Sequence, residues 1–116
     1  MKLTFIELPL FTRLVTEVTD DRFLIQLQNT LLKNPEAGAL IPRLHGLRKV
    51  RMALQGRSRS DGARVIYLHL PQHRAVIFFY LYTKAASSNL TPEQEKRLQA
   101  AVALIKREYR HEDQGR

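Results

Sequence analysis

"GLRKVRMALQGRSRSDGARVIY", residues 46–67, reads as two strands and the turn between them. The spans 47–54 and 64–70 are rich in strand-favouring residues, and the glycines and serines of "GRSRSDG" punctuate a hairpin loop. The same stretch carries five arginines and one lysine against a single acid, Asp61. Side chains alternate across a strand, so Val50, Met52 and Leu54 share one face while Lys49, Arg51 and Ala53 share the other. The first set joins a core; the second projects two cations away from it. Arg64 opens the returning strand close to them, and Arg57 and Arg59 in the loop reach over the same surface. The expected product is an ordered basic concavity carried on strands rather than a flexible basic tail.

The flanks supply the rest of the domain. Lys2 to Glu7 alternates as a first strand, and Phe11, Leu14, Val15 and Val18 then fall at helical spacing. Thr19, followed by Asp20 and Asp21, starts a second helix with the hydroxyl as its cap. Ala75 to Tyr82 is apolar on both faces, as in a central strand. "LTPEQ" is a helix start in which Thr91 and Gln94 form a capping box and Pro92 takes the first turn. The order β-α-α-β-β-β-α defines one α+β domain over residues 1–116. The expected architecture is a small antiparallel sheet with two N-terminal helices and one C-terminal helix packed on one face. Its strands fall at 47–54, 64–70 and 75–82 and its helices at 10–18, 20–33 and 92–109, with a tail that frays over 110–116.

Composition narrows the chemistry. With no cysteine there is no disulfide framework, thiolate metal site or thiol nucleophile. His45, His69 and His73 have no metal-ligand spacing, so neither a metal nor any other cofactor is expected. The longest apolar run is too short to span a bilayer and no signal-peptide pattern opens the chain, which points to the cytoplasm and away from membranes. The net charge is +8, and residues 43–64 alone hold seven basic residues and one acid, +6 of that total. Such concentration favours a polyanionic partner, nucleic acid ahead of an anionic membrane or an acidic protein, over a merely solvated face. RNA carries its own nucleophile, the 2′-hydroxyl, so its cleavage requires no serine, cysteine or metal. Tyr80 and Tyr82, late in the apolar strand, suit the core and its rim, and an aromatic face there can also stack on a base.

The run "GLRKVR", the glycine-rich basic loop leading to "RVIY", the apolar strand ending in "YTK", and then "LTPEQ" together resemble the RelE/HigB toxins of bacterial type II toxin–antitoxin modules, closest to the HigB branch. The likeness covers nearly the whole chain in the same order. It implies a RelE/ParE-like fold and a metal-independent endoribonuclease that cleaves translated mRNA in the ribosomal A site, against ribosomal RNA, and so inhibits translation. It further implies a cognate antitoxin of the HigA/RelB kind. By motif position, Lys49 and Arg51 match the cations that activate the 2′-hydroxyl and stabilise transition-state charge, Arg64 a phosphate contact, and Lys84 the lysine after the central strand. Arg48, Arg57, Arg59 and Tyr82 complete the RNA-binding set. Ala85 and Ala86 stand where related chains often have an arginine that assists the leaving group. Two further readings belong to the same superfamily: a ParE-like inhibitor of DNA gyrase, and a catalytically degenerate module that only binds RNA or antitoxin.

Overall fold

The computed structural model describes residues 2–54, 61–87 and 89–114. The elements run β1 (Thr4–Glu7), α1 (Pro9–Val18), α2 (Asp21–Lys33), β2 (Ala39–Leu40), β3 (Arg48–Met52), β4 (Ala63–Leu70), β5 (Ala75–Thr83) and α3 (Pro92–Gln114). Pro9 takes the first turn of α1. Asp20 rather than Thr19 caps α2, its carboxylate accepting from the Arg22 N–H at 3.0 Å, so that a full negative charge meets the helix dipole. At α3 both arms of the expected capping box form: Gln94 N–H to Thr91 Oγ1 at 3.1 Å and Thr91 N–H to Gln94 Oε1 at 2.8 Å. Among the described residues, no helix is long and apolar enough to cross a membrane.

The five strands lie in the order β1-β5-β4-β3-β2. The β3, β4 and β5 meander is antiparallel, as its short connections require. Two features depart from the sequence expectation. First, the sheet is mixed, because β1 runs parallel to β5 from Thr4↔Ala75 to Glu7↔Phe78. Two helices separate β1 from the meander, so no hairpin turn fixes its direction; its place is set by apolar contacts such as Phe5 stacked on Phe78 at 5.8 Å. Second, helices cover both faces of the sheet. Phe11, Val15, Phe23, Leu27 and Leu31 of α1 and α2 pack on Val50, Val65, Tyr67, Val76 and Phe78. Leu98 and Val102 of α3 pack on Ile66, Leu68, Ile77 and Phe79 from the other side. Both faces of β4 and β5 are apolar, so a one-sided arrangement would leave a second core open to water.

Tyr67, fully buried, fixes the loop that brings the chain from α2 to β3. Its hydroxyl donates to the Pro35 carbonyl at 2.8 Å and accepts from the Gly38 N–H at 3.0 Å. A Cβ on Gly38 would lie 2.9 Å from the Lys49 backbone and from the Tyr67 ring, so only glycine allows this close approach. Tyr67→Phe strands both loop partners and is expected to cost about 1–3 kcal/mol in urea unfolding. Burial raises the Tyr67 phenol above its ordinary 10.0, so its stabilising contribution is complete below about pH 10 and is lost as pH rises toward the folded-state value. The alkaline fall in stability should therefore be shallower in Tyr67→Phe than in the parent. A stability curve unchanged at neutral and alkaline pH would show that the hydroxyl does not hold the loop.

Candidate functional site

Strand register assembles the basic residues. Arg51 lies directly opposite Arg64, and Arg64 directly opposite Tyr82; one step along, Lys49 faces Ile66, and Ile66 faces Tyr80. Directly opposed residues have Cβ atoms about 4.5–5.5 Å apart. The result is a two-row grid on one face of the sheet: Arg51, Arg64 and Tyr82 beside Lys49, Ile66 and Tyr80. Arg64 forms the floor, only 7% exposed, while Lys49 is half-buried and Arg51 exposed.

A β-bulge completes the grid. The register jumps from Ile66↔Tyr80 to Tyr67↔Phe78, which leaves Phe79 as an extra residue in β5. Phe79 and Tyr80 consequently both face the α3 side, and Leu81 and Tyr82 follow in the shifted phase: Leu81 packs with α1 and α2, Tyr82 with α3. Strict alternation from Phe78 would have turned both tyrosines into the α1–α2 core. Bulges re-aim side chains in this manner beside functional sites.

The far half of this face is occupied by α3, which packs through Leu98 and Val102 and is linked to the grid by the Gln94 side-chain amide donating to the Tyr80 hydroxyl at 3.1 Å. Gln94, expected as a capping residue, thus also ties helix to sheet, a contact that capping grammar alone does not encode. At the opposite end, Gly62 closes the β3–β4 hairpin: a Cβ there would fall 2.1 Å from the Met52 carbonyl oxygen. Any side chain at that position would force apart the strands that carry Arg51 and Arg64.

The remaining candidates divide. Lys84 follows β5 at the rim and pairs with Asp61, Nζ to Oδ1 at 3.6 Å; both side chains are largely exposed, and such pairs contribute little stability. Arg48 does not join the grid. It shares the Val50–Met52 face, donates to the Gly38 carbonyl at 2.8 Å and approaches Glu36 at 3.5 Å, so it braces the loop beneath Tyr67. Arg57 and Arg59 lie outside the described residues. Tyr82 is 7% exposed, so its ring faces are committed to packing, with Tyr80 6.1 Å away between ring centroids. Burial pushes its phenol above the ordinary value against the lowering pull of Arg64 and, more weakly, of Arg51.

No family model matches the chain. Among solved structures it is similar to the toxin RelE of E. coli, seen as an arginine-to-alanine double mutant in the free state: TM-score 0.54 and 18% identity over 76% of this chain and 90% of that one. At that identity the likeness is one of architecture, and the α+β arrangement described above is RelE-like.

Proposed function

We propose that this chain is the toxin of a type II toxin–antitoxin pair, a ribosome-dependent endoribonuclease acting on translated mRNA in the A site. The observation that carries this reading is the grid itself, in which register aligns Arg51 with Arg64 and sets Lys49 one step away on the same face. The RelE-like architecture supports it. Arg51 and Arg64 grip the non-bridging oxygens of the scissile phosphate and stabilise the charge that grows there. The Lys49 amine takes the proton of the 2′-hydroxyl, whose oxygen attacks phosphorus as the bond to the 5′-oxygen breaks. Lys84, at the rim, returns a proton to that leaving oxygen. The products are a 2′,3′-cyclic phosphate and a 5′-hydroxyl, and the step needs no metal. In the cytoplasm a cognate antitoxin of the HigA/RelB kind holds the activity in check.

Induction in bacteria followed by transcript-end mapping tests this. Growth should stop, translated messages should be cut in codon phase, and upstream fragments should end in a cyclic phosphate or its 3′-phosphate hydrolysis product. Co-expression of the adjacent open reading frame should restore growth. Fragments with 3′-hydroxyl and 5′-phosphate ends, or intact messages accompanied by gyrase-linked DNA breaks, would overturn the assignment.

A further inference from the structure

Three tyrosine hydroxyls on β4 and β5 are treated very differently. That of Tyr67 both donates and accepts, and that of Tyr80 accepts from Gln94. The Tyr82 hydroxyl is buried and has no hydrogen-bond partner among the described residues. Leaving a buried phenol unpartnered is costly, so proteins seldom keep one without a use. Tyr82 sits in one cross-strand row with Arg64 and Arg51, where the cations adjoin the α3-covered part of the same face. Its ring is too enclosed to act as a stacking platform for a base. What it retains is one O–H.

We propose that the Tyr82 hydroxyl is the third ligand of an oxyanion site whose other two ligands are Arg51 and Arg64, donating a hydrogen bond to the phosphate they bind. This deepens the nuclease reading and rests on it for the identity of the phosphate as part of RNA. The chemistry is consistent. The non-bridging oxygens of a phosphodiester only accept, and a tyrosine phenol is protonated at neutral pH, so the hydroxyl is the donor. A neutral donor beside two cations adds direction to the grip without adding a third like charge to the row. Arg51, the exposed member, is the side chain able to reorient as an anion enters.

The test compares the parent protein with Tyr82→Phe, which removes the oxygen and keeps the ring. Both are titrated calorimetrically with inorganic phosphate and with a 3′-phosphorylated RNA dinucleotide, melted, and assayed on programmed ribosomes. The variant should bind both probes about 10-fold more weakly, as expected for a hydrogen bond to a charged group, and cleave with lower kcat. Its melting temperature should hold or rise, because the substitution deletes a buried hydroxyl without a partner. Equal phosphate affinity, no binding of either probe by the parent, or a lower melting temperature caused by loss of an internal partner would each overturn the proposal. A parent that binds phosphate through Tyr82 but cuts no RNA would remove the nuclease reading and leave the oxyanion site standing. Cleavage at the parent rate by Tyr82→Phe, with unchanged affinity, would do the reverse.

Discussion

Lys49→Ala is expected to slow cleavage of ribosome-bound mRNA by about 10²–10⁴-fold, the usual worth of a positioned proton-transfer group. Thermal stability should scarcely change. Lys49 belongs to neither core: its neighbours Arg48 and Val50 turn toward the α1–α2 side, and it projects from the other face of β3 opposite Ile66. Single-turnover rates on saturating programmed ribosomes isolate the chemical step from binding. Lys49→Arg keeps a cation at this position but offers no proton acceptor, since a guanidinium stays protonated throughout the accessible range. It should therefore recover affinity for RNA and little of the rate. Parent-like single-turnover cleavage by either variant would mean that Lys49 is only part of the electrostatic surface and that proton removal occurs elsewhere.

The hairpin that places Lys49 was legible in the sequence because period-two alternation separates Val50 and Met52 from Lys49 and Arg51, and the structure keeps that separation. The same alternation already put Arg48 on the core face. Only its place inside "GLRKVR" made it a site candidate, and its contacts with Gly38 and Glu36 are those of a brace. What could not be read from alternation was the phase of β5. An apolar strand such as "AVIFFYLYT" looks alike with or without an extra residue, and the bulge at Phe79 decides which face Tyr80 and Tyr82 occupy. The second covered face was implicit in the doubly apolar β4 and β5, yet which helix covers which face depends on tertiary packing. The parallel seat of β1 is likewise settled by contacts remote in sequence, with no turn to announce it, whereas β2 pairs with β3 across the local loop 41–47 and, at two residues, is too short for alternation to reveal.

Register also makes a quantitative claim about the two arginines. Arg51→Ala and Arg64→Ala should each lower the rate by about 2–4 kcal/mol of barrier, the range found when one donor to a developing oxyanion is removed. If both grip the same phosphate, as directly opposed residues on one face can, the losses will not add. Once one arginine is gone the phosphate is no longer held in line, and removing the second costs less. The double variant should fall short of the summed single effects by at least about 1 kcal/mol, within the 0.5–3 kcal/mol coupling typical of residues sharing a partner. Arg64→Lys gives an independent reading, because an ammonium keeps the charge but not the planar, two-pronged donor geometry. At a site 7% exposed that geometry cannot be recovered by swinging the side chain through solvent, so the lysine variant should stay well below parental rate. Arg51 is exposed, and Arg51→Lys should be the milder change of the two. Strict additivity in the cycle, with both lysine variants near parental activity, would place the arginines on different phosphates as simple counter-charges and dissolve the single oxyanion site.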